Sequence, residues 1–218
     1  MPPDIDQRDA AAWRAGVMQC RACALALGPH APVLDAWPDP TLTHAPWMVL
    51  GDPPDPEQAQ AGQAFVGEVG VLLDQMLHAV GVRRLAPALP GTAAWPESAT
   101  PAYLSLALKC HPAVPTPADA AAQQACSQWL RREVALIRPR IILALGLVAA
   151  RTLLAADDPA ITALPLGRLR GRVWRHQGIP VVVSYSPGYL LRNPLAKAGA
   201  WEDLCLAQHV LASADSMA

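Results

Sequence analysis

Apolar positions along this chain come in short runs separated by Gly- and Pro-rich stretches, and the runs switch between two periods. Trp47-Met48-Val49-Leu50-Gly51 is a continuous apolar run closed by a glycine, which predicts a buried strand. The irregular Asp52-Pro53-Pro54-Asp55-Pro56 follows. Val71, Leu72, Met76, Leu77 and Val80 recur at helical spacing and predict a helix over 70–80, stopped by Gly81. Residues 103–108 read as a second strand leading into Lys109-Cys110-His111-Pro112. A helix capped by Thr116 or Asp119 should run to about 137, with Pro139 ending it. A third strand over 141–146 precedes a helix near 147–155. Residues 173–174 and 180–185 read as the last strands, and 201–212 as a terminal helix. Upstream, 9–27 reads as a helix interrupted by cysteine, with Trp13, Val17 and Cys20 at helical spacing. Residues 28–46 and 86–101 are Pro-rich and loop-like. Strands alternating with helices predict a three-layer α/β/α sandwich around a mostly parallel sheet. Functional loops should then gather at the carboxyl ends of the strands.

Composition narrows the class. With 218 residues and 52% hydrophobic content the chain can bury a sizeable core, so one domain spanning 1–218 is expected. No apolar run approaches the roughly 20 residues of a membrane span, and the N-terminus lacks the apolar segment of a signal peptide. A cytoplasmic protein with no membrane partner is expected. The net charge of −1 gives no global attraction to nucleic acid, so any DNA contact needs a local basic surface.

In a reducing compartment five cysteines point to metal ligation, catalysis or burial rather than disulfides. Cys20 and Cys23 form a C-x2-C pair, and Cys110 and Cys126 lie far downstream. Two ligands in a short turn plus two distant ones suit a four-thiolate site for zinc or an iron–sulfur cluster. Spacing alone leaves open that Cys110 and Cys126 are ordinary buried cysteines. Cys205 falls at an apolar position of the terminal helix and reads as core.

Five ordered blocks together resemble the family 4 uracil-DNA glycosylases. They are the Cys20/Cys23 pair, Gly62-Gln63-Ala64-Phe65-Val66-Gly67-Glu68-Val69-Gly70-Val71-Leu72-Leu73-Asp74, Lys109-Cys110-His111-Pro112 with Cys126 beyond it, Ser186-Pro187-Gly188-Tyr189-Leu190-Leu191-Arg192, and Trp201-Glu202-Asp203-Leu204. The resemblance runs from Cys20 to about Leu204 and implies a 4Fe–4S cluster held by Cys20, Cys23, Cys110 and Cys126. It implies no nucleotide cofactor.

Excising uracil requires a flipped base, a pocket that reads its polar edge, and stabilisation of charge on the leaving group. The resemblance assigns the base-stacking position to Phe65, the only phenylalanine, which could equally be a core aromatic. It assigns a uracil-reading Asn to position 106 and a catalytic His to position 186. The chain has Leu106 and Ser186 instead. Leucine cannot pair with the base edge, leaving each polar group unpaired at about 1–3 kcal/mol. Loss of one charge-stabilising donor typically costs on the order of a hundredfold in rate. The first loop carries Asp52 and Asp55 among prolines, read as a solvated acidic turn or as carboxylates able to position water.

No intact catalytic set is therefore expected, although the scaffold blocks remain. Tyr189 and Leu191 correspond to a loop that enters the DNA stack in relatives, with Arg192 toward phosphate. The four arginines at 168, 170, 172 and 175 could bind phosphates or form a solvated strand edge. Two functions stay open. One is a non-catalytic accessory binding DNA or replication and repair proteins, for instance a psi-like clamp-loader subunit of the replicative polymerase. The other is an active, divergent glycosylase using Asp52 or Asp55 with Ser186.

Overall fold

A computed structural model describes residues 10–35, 45–85, 96, 98–112 and 120–215. Six strands form one sheet: β1 (Trp47–Gly51), β2 (Val82–Arg84), β3 (Thr100–Leu106), β4 (Ile141–Leu145), β5 (Val173–His176) and β6 (Ile179–Ser184), in the spatial order β2-β3-β1-β4-β6-β5. All neighbours pair parallel except β5 with β6, which form an antiparallel edge. Every residue of β1 and β4 is buried, as expected for parallel strands covered on both faces.

Alternation along these strands divides the core in two. Trp47, Val49, Leu104, Leu106, Leu143, Leu145 and Val182 face one side, under Leu73 and Leu77 of α3 (Gly67–Ala79) and Leu204 and Ala207 of α8 (Lys197–Asp215). Met48, Leu50, Tyr103, Ile142, Ala144, Val181 and Val183 face the other, under α4 (Ala120–Ile137) and α5 (Leu147–Leu154). The period of two makes the two faces, and the helices on each complete the three layers that the sequence predicts.

The observed elements differ from the sequence reading at several edges. The N-terminal helix, α1 (Ala10–Met18), ends before the cysteine pair, and a separate 3-10 turn spans Ala24–Leu27. Strand β3 starts within the stretch read as loop, and α8 begins four residues earlier than expected. Pro56 opens a short helix, α2 (Pro56–Ala61), in what reads as an irregular run. The Thr116 and Asp119 capping positions lie outside the described residues. Cys205 is half-buried rather than core. The remaining helices are α6 (Leu166–Leu169) and α7 (Pro187–Arg192), with 3-10 turns at Pro159–Ala163 and Pro194–Ala196.

A buried polar network ties the end of β3 to α4. Glu133 accepts from the Tyr103 hydroxyl at 2.7 Å, the Ser105 hydroxyl at 2.8 Å and Lys109 Nζ at 2.7 Å. Lys109 Nζ also donates to Ser105 Oγ at 2.6 Å and to the Leu106 carbonyl at 3.1 Å. Burial and the Glu133 charge together hold the Tyr103 hydroxyl well above the usual tyrosine range, so it stays a donor. Removing one partner strands a buried charge. Glu133→Ala should therefore lower unfolding free energy by about 3–5 kcal/mol, measured by urea denaturation.

Candidate functional site

Register decides which loops meet. Gly51 of β1 pairs with Leu106 of β3 and Leu145 of β4, and Leu145 pairs with Ser184 of β6. These four residues form one row at the carboxyl edge of the sheet. The segments beyond them bring Asp52, Lys109-Cys110, Gly146 and Ser186 to the same end, as doubly wound sheets do.

Phe65 enters this end from the loop between α2 and α3. Its backbone is left-handed at φ +52°, unfavourable for an aromatic residue. Two buried side chains hold it there. Gln58 Oε1 accepts the Phe65 N–H at 2.9 Å, and Arg84 Nη2 donates to the Phe65 carbonyl at 3.2 Å. Arg84 is itself fixed by Asp74 at 2.6 Å. Gln58 is fixed by Asp55, which accepts from its backbone N–H at 2.8 Å and its side-chain amide at 2.9 Å. Asp55 thus caps α2 and anchors the loop that presents Phe65.

The Phe65 ring is only 3% exposed and belongs to the same apolar cluster as Leu106. The two meet over Gly51: a Cβ placed there would stand 2.5 Å from Phe65 Cζ and 2.9 Å from Leu106 Cδ2. Glycine at 51 is what lets the ring approach the strand. Where the family resemblance places a polar reader of the base, the structure has hydrocarbon packed on hydrocarbon.

Asp52 is not part of a solvated turn. Its carboxylate reaches across to α5 and accepts from the Ala149 N–H at 3.0 Å. Gly146, at the N-terminus of α5, has φ +111°, and a Cβ there would fall 2.0 Å from Asp52 Oδ2. The helix therefore takes its cap from β1's loop rather than from its own first residue. Burial raises the Asp52 pKa from 3.8 to about 6, partly offset by hydrogen bonds from the Ala149 and Val148 amides. Neither acid of this loop is free, which corrects the reading of Asp52 and Asp55 as a solvated acidic turn. Ser186 sits at the start of α7, where its carbonyl accepts from the Tyr189 and Leu190 amides and its hydroxyl makes no capping bond.

Around Cys110 a second arrangement forms. The Trp13 indole donates to the Trp129 carbonyl at 3.2 Å, and Trp13, Val17, Leu34 and Trp129 make a small core that docks α1 on α4. The Trp129 indole donates to Cys20 Sγ at 3.4 Å. Burial pushes the Cys110 thiol up to about 12, reinforced by the charges of Cys126, Cys23 and Cys20. Burial also raises Cys126, which the Lys109 backbone amide and ammonium partly counter. The charges of Cys20 and Cys23 from the N-terminal segment thus act on Cys110 of the β3 loop and on Cys126 of α4. Among the described residues no three His, Cys, Asp or Glu side chains close around a single ion. A four-iron cluster binds each thiolate to its own iron and so sets them further apart than one tetrahedral ion does, and four thiols are the donor chemistry it takes.

Tyr189 and Leu191 on α7 are both 38% exposed, and Arg192 is exposed beside them. The arginine run is not uniformly solvated. Arg170 is held by the buried Asp203 at 2.7 Å, whereas Arg168, Arg172 and Arg175 are exposed. Sequence reasoning missed Gln58, Arg84 and Glu133. Only Glu133 left a signal: it is a charge on the apolar face defined by Trp129, Leu130, Val134 and Ile137.

The chain matches the model of the uracil DNA glycosylase superfamily over residues 39–207. It is 28% identical over 163 residues to a type-4 uracil-DNA glycosylase of Pyrobaculum aerophilum, covering 73% of this chain and 74% of that protein. It is 28% identical over 185 residues to a type-4 uracil-DNA glycosylase of Archaeoglobus fulgidus, covering 82% and 81%. A type-5 uracil-DNA glycosylase of Pyrobaculum aerophilum is 35% identical over 91 residues, 42% of this chain and 38% of that one.

Two outcomes are expected. Because the folded pKa of Asp52 is raised, its contribution to stability is fully present below about 3.8 and is lost as pH rises through about 6. Asp52→Asn keeps an acceptor for Ala149 and should remove that fall, seen as a flatter urea midpoint against pH than wild type. Anaerobically purified protein should be brown and contain iron; Cys126→Ser should lose both, while Cys205→Ser keeps them. A colourless, zinc-containing wild type would contradict this.

Proposed function

Because the chain belongs to the uracil-DNA glycosylase superfamily, we propose that it is a DNA-binding, glycosylase-fold protein that does not excise uracil and serves as an accessory in DNA replication or repair. The observation that carries this reading is that Leu106 and Phe65, members of one buried apolar cluster, both close over Gly51. A base entering between them would lose its hydrogen bonds to water and find no donor or acceptor on the Leu106 side chain. Discrimination built on such pairing fails when the partner is missing. At position 186 a serine replaces the imidazole expected to stabilise the departing base. Asp52, the nearest acid to this end of β1, is engaged by the α5 amides.

The chain is read as one domain acting in the cytoplasm. Cys20, Cys23, Cys110 and Cys126 would hold a 4Fe–4S cluster, whose contribution is to cross-link the N-terminal segment to the β3 loop and α4. Tyr189 and Leu191 would enter the base stack and Arg192 would meet phosphate. A psi-like clamp-loader subunit is a narrower form of the accessory role; it rests on the resemblance and would appear as co-purification with clamp-loader subunits.

A second reading, an active glycosylase for a less polar lesion, is favoured by one observation. Phe65 is kept in a strained backbone by Gln58 and Arg84, a device that costs about 1–3 kcal/mol and tends to persist at functional sites.

One assay separates them. Excess cluster-loaded protein incubated with uracil-containing single- and double-stranded DNA should release no base. Turnover on uracil would overturn the proposal. Turnover only on deaminated purines or adducted bases, abolished by Asp52→Ala, would establish the second reading.

A further inference from the structure

The segment joining β5's approach to α8 contains an aromatic column that the base site does not use. Tyr185 and Tyr189 stack with centroids 5.0 Å apart and ring planes 19° from parallel. The Arg170 guanidinium lies over the Tyr185 ring, 4.1 Å from its centroid. Arg170 is not a mobile surface cation. Its Nε donates to Asp203 at 2.7 Å, and Asp203 is fully buried on α8 and also accepts from the Gly171 N–H at 3.2 Å. The guanidinium rests against Gly199, where an added Cβ would stand 2.7 Å from Nη2. The glycine is what allows the arginine to lie flat between α8 and the ring.

The order of layers is therefore fixed from inside outward: Asp203, Arg170, Tyr185, Tyr189. The last is more than a third exposed. Its helix packs against α3, with Gly188 facing Val69, so the column ends beside the loop that carries Phe65. Arg192 reaches back along α7 toward Gly188 and is exposed, as are Arg168, Arg172 and Lys197; the exposed acids include Glu202 and, next to Val69 on α3, Glu68.

We infer that the Arg170–Tyr185–Tyr189 column is a preassembled stacking platform for an unpaired base of single-stranded DNA. An exposed aromatic held in place by a stack and an ion pair loses little conformational freedom when a base joins it. A duplex offers its base faces only after unstacking, whereas a single strand presents them directly, and flanking cations track its backbone. With a net charge of −1 the chain has little long-range attraction for nucleic acid of either form, so affinity depends on such local contacts. Tyr189 is the residue that touches the base; Arg170 and Asp203 are positioning residues acting through Tyr185. This rests on the DNA-binding reading above.

The test uses the full-length protein and measures anisotropy of labelled oligothymidine, an abasic oligomer of equal length and a duplex, at one ionic strength. Quenching of 2-aminopurine in the single strand reports stacking. Wild type should prefer the base-bearing single strand and quench 2-aminopurine. Tyr189→Ala should weaken that binding about tenfold, the size of one lost base stack, and leave the abasic strand unaffected. Tyr189→Phe should retain both signals. Arg170→Gln and Asp203→Asn should reduce quenching more than affinity, and Leu195→Ala, at a 97% exposed site outside the column, should change nothing. Equal binding by Tyr189→Ala and wild type, or an equal loss on the abasic strand, would overturn the platform while leaving DNA binding standing. Failure of wild type to bind any of the three would remove the DNA-binding reading itself, and the platform with it.

Discussion

The fold's functional end depends on one buried ion pair, Lys109 with Glu133. Taking two charges out of water is costly unless their remaining hydrogen-bonding capacity is met. Here Tyr103 and Ser105 from β3, and the Leu106 carbonyl, complete the set. The arrangement fixes the carboxyl end of β3 against α4. Leu106 lies on one side of Lys109 in sequence and Cys110 on the other, so the same pair positions the base-site row and the thiol group. It holds Leu106 through its backbone carbonyl, so the side chain at 106 takes no part in the network.

The scaffold and the chemistry can therefore separate. Gly51, Gly146 and the Phe65 loop keep geometry that only specific neighbours permit: a ring over one glycine, a carboxylate over another, a left-handed aromatic held by two buried side chains. These are constraints on shape. The resemblance would put hydrogen-bonding capacity at 106 and a strong donor at 186 for a pyrimidine, whereas the chain carries Leu106 and Ser186 there. Asp52 illustrates the same separation. Its carboxylate, directly after β1, is committed to the amides of α5, and burial rather than a reacting partner sets its pKa.

Much of this was legible in the chain. Strands β1 and β4 are continuous apolar runs closed by glycine, and α3 shows its period plainly. The cysteine spacing and the five motif blocks pointed to the thiol group and to positions 65, 106 and 186. Strand β2 was hidden because two of its three residues are arginines, and Arg84 is buried through Asp74 and the Phe65 carbonyl, partners with no local signature. Helix α2 was masked by prolines, although Pro56 occupies the first helical turn, where its missing N–H costs nothing. The acids of the first loop were misread because Asp52's partners lie 97 positions away, a pairing with no local signature. Likewise, Arg170 looks in sequence like its exposed neighbours, and only the fold delivers Asp203 and Tyr185 to it.

The most direct measurement is a crystal structure of the protein soaked with free uracil. Phe65 and Leu106 should stay closed over Gly51 with no base between them. A uracil lodged there, its carbonyls and N–H groups paired with protein atoms, would contradict this.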